Sequence, residues 1–195
     1  MASIRANCRK IVCIGRNYAS HIAELSSPRP SQPIFFLKPA SSLLPPSSGP
    51  IIRPRGVLLH HEIELGLVMC KPLRNLPLEP DPDLIRSAIG AYVLAIDLTA
   101  RNIQTVAKRD GLPWTVAKGF DGFCPVSAPI PKDRIPDPAA RGVTLWLSVN
   151  GRERQRGSTS EMIFGVECLL GHVSRVMTLE VGDLVLTGTP EGVGS

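Results

Sequence analysis

The stretch that decides the fold is HEIELGLVM, residues 61–69. Its apolar residues recur at every second position from Ile63 to Met69, and this period of two predicts a β-strand with one face in the core. The opposite face carries Glu62 and Glu64, which point the same way and lie about 6.6 Å apart along the strand. Taken alone, the pair is typical of a half-buried strand whose acids lie in water.

Asp97 changes the interpretation of this acid pair. It is the only charged residue in 88–100, and it ends a strand that we predict over Ala91–Ile96 and expect to be buried. An unpaired buried carboxylate is costly, so Asp97 needs a partner. It could cap the next helix, although Thr99 could serve there. With the acid pair it would instead supply three oxygen ligands for a hard cation such as Mg²⁺. The sequence shows no paired His or Cys set, and this argues against a zinc site.

A second candidate pair lies earlier in the chain. We predict a helix over Tyr18–Leu25 with Asn17 as its N-cap. His21 and Glu24 then fall at i and i+3, on one face of that helix. A histidine held by a carboxylate can move protons near neutral pH. A surface ion pair explains the same spacing.

The helix predicted over Thr99–Asp110 carries polar residues on one face, namely Arg101, Gln104 and Lys108. A solvated face accounts well for Lys108. Arg101, however, lies in the first turn, where the helix dipole disfavours a cation, and this favours a role in holding an anion. Lys118 follows apolar neighbours, so it is either a lysine whose stem lies along the apolar surface or a cation that faces a substrate carboxylate or enolate.

The remaining pattern mixes short strands, turns and helices without a regular βαβ order, which predicts an α+β class with a sheet-dominated core. Asn150-Gly151 is the preferred turn pair of a hairpin, and Ser158-x-x-Glu161 is a capping box that we expect to open the strongest helix. The apolar face of that helix comprises Met162, Val166, Leu169, Leu170, Val173 and Met177. The further predicted strands are Ile11–Ile14, Ile34–Leu37, Pro50–Arg53, Val143–Val149, Arg152–Arg156 and Leu184–Thr187.

Composition limits the classes of protein. The chain has 195 residues, 43% hydrophobic and 20% charged, which suits one ordinary globular domain. No apolar run approaches the roughly 18 residues of a membrane helix, so no membrane partner is expected. The net charge of +5 is scattered. Its one cluster, Arg152, Arg154 and Arg156, alternates along a strand and fits a solvated face, so nucleic-acid binding is not expected.

The cysteines and the N-terminus bear on the compartment. The five cysteines form no CxxC pair, which predicts reduced, mostly buried thiols rather than a disulfide framework. The segment Met1–Lys10 contains three basic residues and no acid, as the remnant of a mitochondrial presequence would, but it is too short to decide. No secretory signal is expected.

Taken together, several motifs resemble the fumarylacetoacetate hydrolase superfamily, and they occur in that family's order over nearly the whole chain. Those that carry the resemblance are Gly15-Arg16-Asn17-Tyr18 with His21 and Glu24, Phe36-Leu37-Lys38-Pro39, His61-Glu62-Ile63-Glu64-Leu65, Asp97-Leu98-Thr99-Ala100-Arg101 with Gln104, Gly111-Leu112-Pro113-Trp114 through Lys118-Gly119-Phe120-Asp121, Asn150-Gly151, Met162-Ile163-Phe164 and Leu186-Thr187-Gly188-Thr189-Pro190. The short N-terminus and the Gly-Leu-Pro-Trp-Thr segment look closest to the small eukaryotic acylpyruvase and oxaloacetate decarboxylase branch.

The resemblance implies a mixed, curled β-sheet core with a few peripheral helices, in a single catalytic domain over 1–195 that lacks the family's last strands. It implies a homodimer and a Mg²⁺ or Mn²⁺ cofactor. The implied metal ligands are Glu62, Glu64 and Asp97. The implied catalytic residues are His21 and Glu24, as a water-activating pair on a mobile helix, and Lys118. The implied substrate contacts are Arg101, Gln104 and Thr189.

The resemblance also implies the chemistry. The expected substrate is a small 2-oxo acid, and the expected reaction is hydrolysis of an acylpyruvate such as acetylpyruvate, decarboxylation of oxaloacetate, or both, through a metal-stabilised enolate of pyruvate. Alternatives are oxaloacetate keto–enol tautomerisation, another hydrolase or isomerase activity of the superfamily, or an inactive truncated homologue. The implied location is the mitochondrial matrix or the cytosol.

Overall fold

The computed structural model describes residues 7–24, 27–77, 79–135, 137–138 and 141–195. Within them the helices are α1 Ala19–Glu24, α2 Pro82–Ala88, α3 Arg101–Arg109, α4 Thr115–Lys118 and α5 Val166–Ser174. The strands are β1 Lys10–Gly15, β2 Ile34–Pro39, β3 Leu43–Leu44, β4 Leu59–His60, β5 Ile63–Met69, β6 Ile89–Ile96, β7 Thr99–Ala100, β8 Cys124–Pro125, β9 Ile130–Pro131, β10 Thr144–Val149, β11 Arg152–Ser158 and β12 Leu184–Leu186. This mixture of strands and short helices confirms the α+β class.

The main sheet has six strands in the order β2-β1-β12-β5-β6-β9. Only the β1–β12 pair is parallel, and the other neighbours run antiparallel, so the sheet is mixed. Three further strand pairs, β3–β8, β4–β7 and β10–β11, lie outside this sheet. The first and last strands therefore lie side by side in the middle of this sheet, because β12 inserts between β1 and β5.

Both faces of the main sheet are covered. One face, with Leu65 and Leu67 of β5, packs against α2, α5 and the β10–β11 hairpin. The other face packs against Leu43 of β3 and Cys124 of β8, with Val68 of β5 partly buried against them. Because the second face is covered, the polar side of β5 is buried and does not meet water. The half-solvated strand that the acid pair alone favoured is therefore wrong.

The register between β5 and β6 places the third acid beside the other two. Glu64 pairs with Ala95, and the ladder continues with a bond from Asp97 N–H to Glu62 C=O, 2.8 Å long. Residues directly opposite each other on antiparallel strands share a face. Asp97 therefore lies across from Glu62, and the small Ala95 leaves space beside Glu64.

The structure corrects several predicted element boundaries. Residues 51–54 form no strand, so the strand predicted over Pro50–Arg53 is wrong. The capping box of Ser158 and Glu161 is present, but it opens a 3₁₀ turn, Thr159–Glu161. Helix α5 begins only at Val166. The extended backbone of Gly165 (ψ 166°) separates this helix from the 3₁₀ turn.

Asn17, the predicted N-cap, and Thr99, the alternative considered for capping the next helix, do not cap these helices, for a shared reason. The Asn17 side chain bonds Thr187 C=O and both backbone groups of Phe164, so it joins two distant loops. Thr99 lies in β7, and its hydroxyl donates to Glu62 Oε1 at 3.0 Å. Both polar side chains serve tertiary contacts that local sequence does not reveal. The predicted end of helix α1 at Leu25 lies outside the described residues.

The hairpin and the surface features agree better with the predictions. Asn150 and Gly151 have φ of 52° and 76°, as the two-residue turn requires. The three arginines of β11 are exposed. All five cysteines are free, with three buried and Cys70 and Cys168 exposed. Among the described residues, no helix has the length and apolarity needed to cross a bilayer. Residues 1–6 of the segment Met1–Lys10, the possible presequence remnant, lie outside the described residues.

Candidate metal and substrate site

The three predicted acids form one buried cluster. Glu62, Glu64 and Asp97 are each at most 7% exposed, and each offers a carboxylate oxygen within 4.8 Å of the others. Glu62 immediately precedes β5, Glu64 lies at its start, and Asp97 follows the end of β6. The structure thus brings together the set that the sequence suggested.

Two lysines lie against the cluster. Lys118 Nζ, at the end of α4, is 2.9 Å from Glu62 Oε2 and 2.6 Å from Asp97 Oδ2. Lys38 Nζ, from β2, is 2.8 Å from Asp97 Oδ1 and donates to the carbonyls of Leu98 and Lys118. Buried charges require such partners, because unpaired ones are expelled or neutralised.

The two glutamates differ sharply in their surroundings. Burial would raise the pKa of Glu62, but the adjacent Lys118 and Arg101 cations outweigh burial and bring its pKa down to about 2. Burial, and then the charges of Asp97 and Glu62, raise the pKa of Glu64 well above its usual value. For Lys118, burial acts to lower the pKa, but Asp97 and Glu62 raise it above the usual lysine value, so the ammonium stays charged.

The donor set fits a divalent metal ion. All three groups are hard oxygen donors, which Mg²⁺ and Mn²⁺ prefer. Lys38 Nζ approaches Asp97 Oδ1 closely but at an angle that makes no hydrogen bond, so this buried oxygen has no directed donor among the described residues. Glu64 accepts one backbone N–H, from Gly188 at 2.7 Å, and has no hydrogen-bonding side chain among the described residues. Carboxylate oxygens therefore remain available for a cation.

The terminal loop completes this wall. Gly188 has φ of 97°, and a Cβ there would lie 2.8 Å from Asn17 Cβ, so glycine is needed for its N–H to reach Glu64. The adjacent Thr187 donates to Leu65 C=O through both its N–H and its hydroxyl. The loop is thus held to β5.

A small cleft opens beside the acids. Seven of the nine predicted site residues line it, while Asp97 and Glu24 do not. Those that line it are His21, Glu62, Glu64, Arg101, Gln104, Lys118 and Thr189. One cleft thus receives two members of the acid cluster together with the predicted substrate contacts.

The predicted proton-transfer pair is formed. His21 Nδ1 lies 2.9 Å from Glu24 Oε2, and Glu24 Oε1 accepts the N–H of Gly192 at 3.1 Å. His21 is only 6% exposed, so the pair is no ordinary surface ion pair. Its imidazole lines the cleft, whereas the Glu24 carboxylate is held by the terminal loop.

The other predicted contacts form two polar groups in the same cleft. Arg101 donates to Glu62 Oε1, to Gln104 Oε1 and to His60 Nδ1. Thr189 accepts a hydrogen bond of 2.9 Å from Gln155 Nε2. The first group starts α3, and the second joins the terminal loop to the hairpin.

Sequence reasoning missed two residues of the site. Lys38 is fully buried beside Asp97, and the period of two that places it on the face of Phe36 in β2 was its only local signal. Gln155 accepts from Ile63 N–H and lies 3.0 Å from His61 Nδ1 while donating to Thr189. Its position between exposed arginines gave no sign of this role.

Comparison with known proteins agrees with this geometry. Residues 10–195 match the family model described as the C-terminal domain of fumarylacetoacetate hydrolase. The chain belongs to the fumarylacetoacetate hydrolase family. Among its relatives, the mitochondrial oxaloacetate decarboxylase of Dictyostelium discoideum is 51% identical, over 95% of this chain and 83% of the relative. The human mitochondrial oxaloacetate tautomerase FAHD1 is 49% identical, over 95% of this chain and 81% of the relative.

Solved structures of the fumarylacetoacetate hydrolase family confirm the predicted fold. Yeast ynq8 is 42% identical with a TM-score of 0.87, over 100% of this chain and 85% of that one. Fumarylpyruvate hydrolase from Pseudomonas aeruginosa, solved in complex with Mn²⁺ and pyruvate, is 33% identical with a TM-score of 0.86, over 96% and 80% of the two chains. The Mn²⁺ in that relative and the acid cluster here together indicate a divalent metal.

Proposed function

We propose that this chain is a divalent-metal-dependent enzyme that acts on a small 2-oxo acid and cleaves its C3–C4 bond. The proposed reactions are hydrolysis of an acylpyruvate and decarboxylation of oxaloacetate, each releasing pyruvate. The observation that carries the proposal is the buried cluster of Glu62, Glu64 and Asp97 at the base of a cleft, with the Lys118 ammonium bridging two of its members.

The proposed roles follow from the chemistry of the groups. Glu62, Glu64 and Asp97 would hold the metal ion, which supplies Lewis-acid polarisation of a 2-oxo group when bound. Cleavage of the C3–C4 bond leaves negative charge shared between C3 and the 2-oxo oxygen. Lys118 stays protonated and lines the cleft, so it is suited to stabilise that charge in surroundings shielded from water.

His21 and Glu24 are proposed to activate water for the hydrolytic reaction. The imidazole would take a proton from water as the oxygen attacks the C4 carbonyl, with the carboxylate orienting the ring through Nδ1. Decarboxylation needs no water attack, because CO₂ leaves when the same bond breaks. Arg101, Gln104 and Thr189 are proposed to position the substrate.

Oxaloacetate keto–enol tautomerisation is the second candidate. It is favoured by the names of relatives such as human FAHD1, whose identity to this chain is 49%. Tautomerisation needs only proton transfer at C3 and at the 2-oxo oxygen. The same buried lysine and imidazole are suited to such a transfer.

An assay that measures pyruvate and enol in parallel separates these activities. Purified chain, supplied with Mg²⁺ or Mn²⁺, is given acetylpyruvate or oxaloacetate, with EDTA-treated protein as the metal-free arm. The proposal expects metal-dependent pyruvate from one or both substrates. Metal-dependent loss of the oxaloacetate enol absorbance without pyruvate would instead establish the tautomerase. Pyruvate formation that EDTA leaves unchanged would contradict the metal's role.

Four further properties accompany this proposed function. We infer that Mg²⁺ or Mn²⁺ is the physiological ion, which a comparison of turnover with each added ion tests. Because relatives from Dictyostelium, human and fission yeast are named mitochondrial, we infer a mitochondrial location. The predicted homodimer is tested by sedimentation, and the predicted lack of nucleic-acid binding by a salt-dependent binding titration.

A further inference from the structure

The cations that line the cleft fall into two groups. Lys118 and Arg101 are engaged by the acid cluster, since both donate to Glu62 and Lys118 also donates to Asp97. Arg16 and Lys108 line the same cleft but have no carboxylate partner among the described residues. The cleft therefore carries positive charge beyond what its own acids compensate.

Arg16 is held in an unusual backbone conformation at this position. Its φ is 57°, in the left-handed region that L-residues other than Asn, Asp and Gly adopt rarely. The next residue, Asn17, is fixed by three side-chain hydrogen bonds to Phe164 and Thr187. A glycine would relieve the strain, yet the position carries a long cation that lines the cleft.

Lys108 lines the cleft together with Arg16. Burial lowers the pKa of Lys108, and the charges of Arg101 and Arg16 lower it further. Its ammonium lies 5.2 Å from the centroid of the Trp114 ring, which also lines the cleft. The aromatic ring partly offsets the repulsion between the cations. An anion bound between Arg16 and Lys108 would offset it more fully.

We propose that Arg16, assisted by Lys108, binds a second carboxylate of the substrate and makes the site selective for 2-oxo dicarboxylic acids over 2-oxo acids with an uncharged tail. This inference rests on the proposed function, because it assigns the substrate class of that same site. The first carboxylate and the 2-oxo group occupy the acid cluster's end of the cleft. The second carboxylate binds to Arg16 and Lys108, whose charges the acid cluster does not compensate.

Oxaloacetate carries such a second carboxylate, and acetylpyruvate ends in a methyl group instead. A guanidinium binds a carboxylate through two parallel N–H donors, which a methyl group cannot accept. Loss of one charge-assisted contact is expected to reduce affinity by about 10- to 100-fold for the dicarboxylate alone. Arg16 is therefore a specificity-determining residue in this proposal and takes no part in proton transfer.

The test compares Arg16→Asn with the wild type on the two substrates, with Mn²⁺ present. Asparagine tolerates the left-handed conformation, so this variant is designed to fold. We expect the KM for oxaloacetate to rise about 10- to 100-fold relative to the KM for acetylpyruvate, because the contact with the second carboxylate is made in the bound substrate and is lost as CO₂ leaves. Lys108→Gln should change the same ratio in the same direction by less. Arg152→Asn removes an equal charge from the exposed hairpin and should leave the ratio unchanged.

A binding measurement keeps this inference separate from the proposed reaction. Calorimetry with Mn²⁺ compares 2-oxoglutarate with 2-oxopentanoate, which share a five-carbon chain and differ in the terminal carboxylate. The wild type should bind 2-oxoglutarate more tightly, and Arg16→Asn should abolish that preference. If the wild type turns over neither substrate, the proposed function fails while this preference still decides the inference. Equal losses for both ligands in Arg16→Asn, or none, would overturn it.

Discussion

Strand β5 and the β10–β11 hairpin both alternate in sequence, but they differ in how much of their polar face is buried. On β5 both faces are buried, and Glu64 is 1% exposed. On β11 the alternate residues Arg152, Arg154 and Arg156 remain exposed. The difference lies in what covers the polar face, since β3 and β8 help to cover that side of the main sheet. A period of two identifies residues that share a face and leaves open whether the face meets water.

The two regions consequently treat charge differently. The acids near β5 are compensated by buried lysines and hold oxygens free for a cation, whereas the Glu153–Arg156 pair of the hairpin lies at the surface, with side chains 46% and 54% exposed. Exposed pairs are screened by water and contribute little. Substitutions in the first region should therefore have large effects, and matched substitutions in the second should have small ones.

The largest effect is expected for Glu64→Ala. Removing one of three carboxylates should abolish Mn²⁺ binding in calorimetry and reduce pyruvate formation by more than about a thousandfold, because the ion is lost with its charge stabilisation. Glu153→Ala, on the hairpin, should leave both unchanged. Unaltered Mn²⁺ affinity in Glu64→Ala would remove Glu64 from the ligand set.

His21→Ala tests the helix that borders the cleft. General-base catalysis contributes about 10²- to 10⁴-fold, so acetylpyruvate hydrolysis should fall within that range. Oxaloacetate decarboxylation should fall much less, because it needs no attacking water. The measurement is the ratio of kcat values for the two substrates. Equal losses would show that His21 does not act mainly on water.

Lys38→Met tests the compensation of buried charge. It removes the contact with Asp97 and two donors to backbone carbonyls, so the free energy of unfolding should fall by about 3 kcal/mol. Urea denaturation in EDTA gives the value without metal stabilisation. Arg152→Met, at an exposed position, should have a midpoint like that of the wild type. A midpoint for Lys38→Met as high as that of its control would mean that Asp97 needs no second cation.

Gln155→Leu sharpens the comparison within one strand. Its amide joins Ile63 of β5 to Thr189 of the terminal loop, and leucine would leave Ile63 N–H without its acceptor and Thr189 without its donor. We expect a loss of about 2 kcal/mol in unfolding free energy, measured by urea denaturation. Arg154→Leu, on the opposite face of β11, should cost far less. Similar losses in both variants would indicate a general effect of apolar substitution in the hairpin.

Local sequence was sufficient where local interactions decide. The turn at Asn150-Gly151 forms as predicted, because that residue pair favours the positive φ angles that the hairpin needs. The predicted capping box of Ser158 and Glu161 is also present, but it opens a 3₁₀ turn, and the following helix begins only at Val166. A cap satisfies the first N–H groups of a turn and does not determine how far the helix continues.

The candidate site depended on more distant contacts. Asp97 stood out as a lone charge in an apolar run, which indicated a buried partner without identifying it. The β5–β6 register supplied that partner by placing Asp97 across from Glu62. Lys38 and Gln155 were missed because they contact residues that are distant in sequence. Leu98 is 60 residues from Lys38, and His61 is 94 residues from Gln155.

The sequence by itself determined the α+β class, the strand that carries the acids and the identity of the groups able to hold a metal ion. Those properties follow from periodicity and side-chain chemistry, which act over a few residues. Only the tertiary structure decided that the polar face of β5 is dry, that Lys38 and Lys118 compensate its acids, and that Arg16 and Lys108 are left without an acidic partner among the described residues. Burial and charge compensation depend on which distant segments pack together, and no local pattern contains that information.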